Sequence, residues 1–193
     1  KGRILLFDAI SVVNSIISQL KKYKEVKQIS PAGSLRRKKE TIGDIDILCT
    51  VEKGKEKFVI DKFTKLPEVQ NGGRVLASGD TKASVITADN LQVDLRVVDP
   101  SCYGSALMYF TGSKEHNIAL RELANKKGLT ISEYGIFKIG NKTKPLAGKT
   151  EEEVYKLLGL EFIPPELREN RGEIEQAKID LSKGRPKERT GLP

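Results

Sequence analysis

The sequence is poor in the residues that build disulfide scaffolds and histidine metal sites. It has two cysteines, Cys49 and Cys102, and a single histidine, His116, in 193 residues. Two cysteines are too few for a disulfide framework, and one histidine excludes most histidine-based metal sites. No apolar run approaches the roughly 18 residues of a membrane-spanning helix, and no secretory leader is visible. We therefore expect a cytosolic protein in a reducing compartment that makes no use of a membrane.

Acidic residues are outnumbered by basic ones. Thirty-four Lys and Arg against 26 Asp and Glu give a net charge of +8 and a pI near 9.4. A balance of this size favours a polyanionic partner, although an ordinary soluble surface fits the charge nearly as well. With 38% hydrophobic and 31% charged residues the composition is that of a globular protein. The length suits one domain or two small subdomains that share a core.

The hydrophobic periodicity changes near Pro100. Before it, we predict helices over 8–23 and 58–66 and strands over 26–31, 43–49, 74–78, 83–87 and 91–98. After it, we predict helices over 103–110, 116–127 and 150–159 and two short strands over 129–132 and 136–139. The fold class is α+β. The expected organisation is a domain at 1–100, a second at 101–165, and a charged, flexible linker or tail at 166–193.

Two aspartates lie two residues apart in the strand predicted at 43–49. The side chains of Asp44 and Asp46 point to the same side of a strand, where two carboxylates repel each other unless a cation lies between them. Asp94 lies on the polar face of another predicted strand. If the two strands are neighbours, three carboxylates converge and could hold two Mg²⁺ ions roughly 3.5–4 Å apart. Taken alone, an Asp-x-Asp pair also fits an exposed strand face.

A phosphate-binding pattern precedes these carboxylates. Gly33 and Gly43 let the backbone approach a phosphate closely, and Ser34 adds a hydroxyl donor. Arg37 adds a guanidinium fork that matches phosphate oxygens, whereas Arg36 fits a structural ion pair better. A phosphate cradle about ten residues before a carboxylate pair predicts a nucleoside triphosphate site.

Three pairs of motifs resemble the signatures of family X DNA polymerases. They are Gly33-Ser34-Leu35-Arg36-Arg37 with Gly43-Asp44-Ile45-Asp46, Val93-Asp94-Leu95-Arg96 with Tyr109-Phe110-Thr111-Gly112-Ser113, and Asn117 with Arg121. The Lys114-Glu115-His116-Asn117 stretch is most similar to the prokaryotic branch. The resemblance covers residues 2–171 and implies a nucleotidyltransferase palm, a mixed β-sheet with flanking helices, followed by a small α/β thumb.

The resemblance implies a role for each motif residue. Asp44, Asp46 and Asp94 would bind two Mg²⁺ ions, with Mn²⁺ possible, and Asp94 would be the general base for the primer 3′-hydroxyl or lie beside it. The residues that would bind the incoming dNTP are Gly33, Ser34, Arg37, Gly43, Tyr109, Phe110, Gly112, Lys114 and Asn117. The residues that would contact DNA are Lys82, Arg96 and Arg121. The family also implies a cis peptide bond between Gly112 and Ser113, and we expect His116 to be a packed side chain.

The implied activity is template-directed addition of deoxynucleotides to a primer–template or to gapped DNA, in short-gap repair. The resemblance further implies a monomer in the cytoplasm, associated with the nucleoid in a prokaryote. We expect neither lyase nor phosphoesterase activity, because the helix-hairpin-helix glycine motifs and a histidine-rich domain are absent from this sequence. Gln92 stands where the beta member of the family has an arginine beside the primer. Two alternatives stay open: a nucleotidyltransferase acting on a small-molecule or RNA acceptor, and a DNA-binding module that needs further domains for catalysis.

Overall fold

A computed structural model describes residues 3–180 and 185–186. The chain divides into two compact units, Lys1–Pro100 and Ser101–Pro193. Within the described ranges, no helix has the length and the hydrophobicity that crossing a lipid bilayer requires.

The first unit is built on a five-stranded mixed sheet. Its helices are α1 (Leu6–Lys21), α2 (Gly33–Arg36), α3 (Glu56–Thr64) and α4 (Pro67–Gln70). Its strands are β1 (Ile4–Leu5), β2 (Val26–Pro31), β3 (Thr41–Ile42), β4 (Ile45–Val51), β5 (Arg74–Ser78), β6 (Lys82–Ile86) and β7 (Gln92–Val97). The sheet order is β2-β4-β7-β6-β5, with β4 and β7 parallel, the other neighbours antiparallel, and β1 paired separately with β3. This architecture confirms the α+β class and the mixed sheet with flanking helices.

Alternation along the strands gives the sheet one apolar face. Successive side chains of a strand point to opposite faces, so Ile45, Ile47 and Cys49 of β4 enter the same core while Asp46 points away from it. The buried side chains of α1 and α3 belong to that same core: Ala9, Val13, Ile16, Ile17, Leu20, Val59, Ile60 and Phe63. Burial raises the pKa of the Cys49 thiol to about 12, so this cysteine stays protonated and unreactive. The opposite face carries polar side chains such as Asp46 and Asp94, together with Leu48, which is also buried.

The second unit holds helices α5 (Tyr103–Thr111), α6 (Lys114–Lys126), α7 (Glu151–Leu157) and α8 (Glu173–Gln176). Strands β8 (Leu129–Ser132) and β9 (Gly135–Lys138) form an antiparallel hairpin, and β10 (Ile179–Asp180) pairs with β11 (Arg185–Pro186). Gly104 lies so close to the backbone of Thr150 that a Cβ at this position would overlap it. The absence of a side chain therefore lets α5 pack directly against the start of α7.

Hydroxyl caps set the first turns of α6 and α7. The helix predicted from His116 begins two residues earlier, at Lys114, because Ser113 is the N-cap and its Oγ accepts the backbone N–H of His116 at 3.2 Å. Thr150 caps α7 in the same way, accepting the N–H of Glu153 at 3.2 Å.

The prediction of a flexible tail from residue 166 is wrong for residues 166–180. This segment contains a 3₁₀ turn at Pro165–Leu167, helix α8 and strand β10. Two of its charged side chains, Arg168 and Glu173, are buried rather than solvated: Arg168 has no exposed surface, and its Nη1 donates to Glu151 Oε2 at 2.6 Å. Of the last residues, 184–193, all but Arg185–Pro186 lie outside the described residues.

Candidate active site

Asp46 and Asp94 lie directly opposite each other on parallel neighbouring strands. The register of β4 and β7 pairs Ile45 with Val93, Asp46 with Asp94, and Ile47 with Leu95. Both aspartates are half-buried on the polar face of the sheet. Asp44 precedes β4 by one residue and is exposed. The condition set by the sequence, that the two strands be neighbours, is therefore met.

The three carboxylates interact electrostatically. The pKa of Asp46 is raised above its usual value, first by burial and then by the negative charges of Asp94 and Asp44, while Arg96 and Lys82 oppose the shift. The Nε of Arg96 lies 4.0 Å from Asp46 Oδ1. A half-buried cluster with more negative than positive charge is unfavourable by itself, and a bound cation would relieve it.

The three carboxylates are ligands of the type that a hard divalent cation prefers, but their positions in this structure do not form a metal site. All three offer oxygen ligands, which Mg²⁺ and Mn²⁺ prefer, and they lie at one end of the β4–β7 pair. In the described part of the chain, however, no three His, Cys, Asp or Glu side chains are arranged so that they could hold a metal ion. The donor type and the repulsion at Asp46 are therefore what supports a metal site here.

We predict that Asp46→Asn stabilises the first unit by about 1 kcal/mol at neutral pH in the absence of divalent ions. The raised pKa of Asp46 means that the folded state binds this proton more tightly than the unfolded state. The wild type therefore loses stability as pH rises from the ordinary value of 3.8 through the raised pKa. The gain from Asn should be full at pH 7 and should disappear below that ordinary value, as urea unfolding would measure. Asp89→Asn, at an exposed turn, is the control and should show no such gain; loss of stability in Asp46→Asn at pH 7 would contradict the prediction.

A backbone hydrogen bond joins the phosphate-binding pattern to the carboxylate strand. The N–H of Ala32 donates to the carbonyl of Asp46 at 2.8 Å, at the point where β2 ends and α2 begins. Gly33 follows with φ of 63°, a left-handed conformation that glycine adopts without strain. Ser34 is half-exposed in the first turn of α2, and Arg37 ends that helix. The Gly33-Ser34 turn is thereby fixed next to Asp46.

The structure adds Arg3, a residue that no sequence motif marks. Its guanidinium donates to Thr41 through Nε to Oγ1 at 2.9 Å and through Nη2 to the carbonyl at 2.6 Å. Its Nη1 lies 3.3 Å from the position that a Cβ of Gly43 would occupy. Arg3 thus places a cation beside the loop that leads to Asp44. Local sequence could not show this, because the position of Arg3 beside Gly43 depends on the pairing of β1 with β3.

The predicted DNA contacts of the first unit lie on the same sheet face as the aspartates. The β6–β7 register pairs Lys82 with Arg96 and Ser84 with Asp94. Arg96 lies beside Asp46, where it balances charge within the cluster, and Lys82 is exposed. Gln92 Nε2 lies 3.4 Å from Asp94 Oδ1, so this departure from the family pattern contacts a predicted metal ligand.

The second unit brings the predicted nucleotide residues of α5 and α6 together. The side-chain amide of Asn117 donates to the carbonyl of Tyr109 at 3.0 Å. Tyr109 is 43% exposed, and its ring meets that of Phe110 edge-on with centroids 5.0 Å apart. A small pocket is lined by Tyr109, Asn117 and Arg121 together with apolar side chains of α5, α6 and β8. The presence of all three in one pocket follows from the sharp turn between the two helices.

That turn has the form that the resemblance implied. The peptide bond between Gly112 and Ser113 is cis, and Gly112 has φ of 69°. Lys114 is exposed at the first position of α6. His116 is buried, as expected of a packed side chain. Sequence reasoning missed its partners, Glu173 and Tyr155, because they come from segments far along the chain.

Two family models match the chain, one in each unit. A family model described as DNA polymerase beta palm matches residues 8–96, and one described as DNA polymerase beta thumb matches residues 106–169. The "Repair DNA polymerase X" of African swine fever virus (isolate Pig/Kenya/KEN-50/1950) is 32% identical over 150 residues, which cover 74% of this chain and 82% of the viral protein. The chain belongs to the family X DNA polymerases.

Two cellular relatives are longer proteins. The "DNA polymerase/3'-5' exonuclease PolX" of Bacillus subtilis (strain 168) is 38% identical over 172 residues, 86% of this chain and 29% of the relative. The "DNA polymerase lambda" of Rattus norvegicus is 31% identical over 161 residues, 71% of this chain and 28% of the relative. This family X chain thus spans less than a third of the length of these two proteins.

Proposed function

We propose that the chain carries a template-directed DNA polymerase activity, adding deoxynucleotides to a primer 3′-hydroxyl in short-gap repair. The observation that carries the proposal is the parallel register of Asp46 with Asp94, next to the Gly33-Ser34 turn that Ala32 ties to the Asp46 carbonyl. Membership of family X supports the choice of reaction. The substrates are dNTPs and a primer–template or gapped duplex, whose polyanionic character fits the net charge of +8.

Asp44, Asp46 and Asp94 would hold two Mg²⁺ ions, or Mn²⁺ in their place, which when bound supply Lewis-acid activation of the primer hydroxyl and neutralise the leaving pyrophosphate. The raised pKa of Asp46 is consistent with this role, because burial and its two acidic neighbours make a lone ionised cluster unfavourable. Asp94 would receive the hydroxyl proton or lie beside the group that does.

The triphosphate would lie over the Gly33-Ser34 turn. Backbone N–H groups of Gly33 and Gly43 and the hydroxyl of Ser34 can donate to phosphate oxygens. Arg37 adds positive charge at the end of α2, and Arg3 adds it beside Gly43. These groups position the α-phosphorus for in-line attack, which is the main task of a protein in phosphoryl transfer.

The residues of the second unit would select the nucleotide and contact the DNA. Tyr109 and Phe110 would pack against the sugar near Gly112, and Asn117 would read the base edge in the minor groove. Arg121 would contact the template strand, with Lys114 near the incoming nucleotide. In the first unit, Lys82 and Arg96 would also contact the DNA. We further propose that the protein acts as a monomer in the cytoplasm.

Primer extension tests the proposal and its rivals together. A fluorescent primer annealed to templates of known sequence is incubated with one dNTP at a time and MgCl₂, with EDTA as the control. We expect addition only of the complementary nucleotide, only with a divalent ion, and weaker with rising salt. Extension that ignores the template, or transfer to an RNA end but not to DNA, would favour the nucleotidyltransferase alternative. Binding of gapped DNA without incorporation would favour the DNA-binding module.

A further inference from the structure

His116 is held at both ring nitrogens by elements outside its own helix. It lies in the first turn of α6 with 1% of its surface exposed. Its Nδ1 lies 2.7 Å from Glu173 Oε1 in α8, and its Nε2 lies 3.0 Å from the Tyr155 hydroxyl in α7. Burial lowers the pKa of His116, while the hydrogen bond and charge of Glu173 oppose that shift. A neutral ring that donates from Nδ1 to the carboxylate and accepts the tyrosine hydroxyl at Nε2 satisfies all three groups.

Two backbone N–H groups also hold the carboxylate of Glu173, in addition to its contact with His116. The N–H of Asn170 donates to its Oε1 at 2.8 Å, and the N–H of Arg171 donates to its Oε2 at 2.7 Å. Burial opposes ionisation, but the hydrogen bonds from His116 and the backbone outweigh it and lower the pKa of Glu173. The carboxylate is therefore a rigid, charged acceptor, which makes its bonds stronger than neutral ones.

The segment from Arg168 to Glu173 also holds the turn that starts α6. The N–H of Ser113 donates to the carbonyl of Arg168 at 3.0 Å, and Ser113 in turn accepts the N–H of Asn117 at 2.9 Å. Asn117 follows His116 directly, so on a helix the two side chains point about 100° apart. Holding the ring of His116 in the core therefore fixes the direction in which Asn117 points, toward Tyr109 and Arg121.

We propose that Glu173, acting through His116, is a positioning residue that sets the direction of Asn117 for the incoming nucleotide. The inference rests on the proposed role of Asn117. Neither Glu173 nor His116 needs to touch the substrate; they fix the rotation of the first turn of α6. The segment from Arg168 to Glu173 thereby belongs to the nucleotide-selecting part of the second unit.

Two substitutions at His116 test its contact with Glu173 and its contact with Tyr155 separately. The side-chain nitrogen of Asn reaches the place of Nδ1, so His116→Asn retains a donor to Glu173 and loses the Tyr155 contact. Gln reaches the place of Nε2, so His116→Gln retains the Tyr155 contact and loses Glu173. Both remove the ring, and Asn, which is one methylene shorter than Gln, leaves the larger cavity, so a cavity effect alone would raise the KM more in His116→Asn. We expect His116→Gln to raise the KM for the complementary dNTP about tenfold, with kcat and DNA affinity within about twofold, and His116→Asn to raise it much less.

Glu173→Gln and Asn117→Ala complete the test, with melting temperatures measured throughout. We expect Glu173→Gln to raise the KM as His116→Gln does, and to add nothing further once Asn117 is Ala, because both changes would act on one interaction. If Glu173→Gln does not fold, the His116 pair carries the test alone. Equal KM values for His116→Gln and His116→Asn would overturn the inference, even if Asn117→Ala raises the KM. An unchanged KM in Asn117→Ala would instead overturn the proposed role of Asn117, and this inference with it.

Discussion

Asp94→Ala is expected to lower nucleotide incorporation by at least about a thousandfold while primer–template DNA still binds with nearly the affinity of the wild type. Loss of a ligand from a metal site removes several kcal/mol of transition-state stabilisation, and each 1.36 kcal/mol is a factor of ten in rate. DNA affinity should not fall, because removal of a carboxylate from the face that is proposed to meet phosphates reduces repulsion. Single-turnover incorporation and fluorescence anisotropy of labelled DNA measure the two quantities.

The fold should tolerate this substitution. Asp94 points away from the core, and its neighbours Val93 and Leu95 keep β7 packed against the rest of the first unit. Asp94→Asn keeps the shape and removes the charge, and it should lose incorporation to a similar degree. Asp89→Asn makes the same change of charge at an exposed turn and should be indistinguishable from the wild type. Normal extension by Asp94→Ala would refute the assignment of this carboxylate.

The parts of the site that were predictable from sequence are those defined by local periodicity. Alternation placed Asp46 and Asp94 on polar strand faces, and the family signatures marked the Gly33-Ser34 turn. Their adjacency was not predictable from periodicity, because β7 inserts between β4 and β6 although it follows both in sequence. Strand pairing between distant segments depends on tertiary packing, which a sequence window does not contain.

A proline that follows a predicted helix can mark the end of that helix or the start of the next one. Pro67 directly follows the helix predicted over 58–66, and the observed helix α3 ends at Thr64. The same proline is the first residue of α4, where its missing N–H has no helical partner to lose. Sequence alone does not decide between these uses, because both follow from the fixed φ of proline.

Charge composition was the least informative signal. The segment from residue 166 reads as solvated, yet Arg168 and Glu173 are buried. Composition counts charges but not their partners, and the partners here are Glu151 and His116, which lie 17 and 57 residues away. A buried charge is tolerated only when such partners exist, so the structure, rather than the composition, distinguishes a packed segment from a tail.

Arg168→Met is expected to destabilise the second unit by about 3–5 kcal/mol. The substitution keeps much of the side-chain volume but leaves the carboxylate of Glu151, which is 5% exposed, without its charged partner at 2.6 Å. It also removes the bond from Nε to the carbonyl of Ile163 at 2.9 Å and the guanidinium packed over the ring of Tyr155. Hydrogen exchange of the α7 amides, followed by mass spectrometry, measures the loss in this unit alone.

Two further variants decide whether the loss comes from the pair. Glu151→Leu combined with Arg168→Met removes both charges, and it should be far more stable than the sum of the single changes, because no charge is left buried alone. Lys178→Met breaks an exposed ion pair with Glu175 in the same C-terminal segment and should cost under about 1 kcal/mol. If Arg168→Met costs no more than Lys178→Met, residues 166–180 contribute little to the fold. A cost several times larger makes the segment an integral part of the unit that carries Asn117.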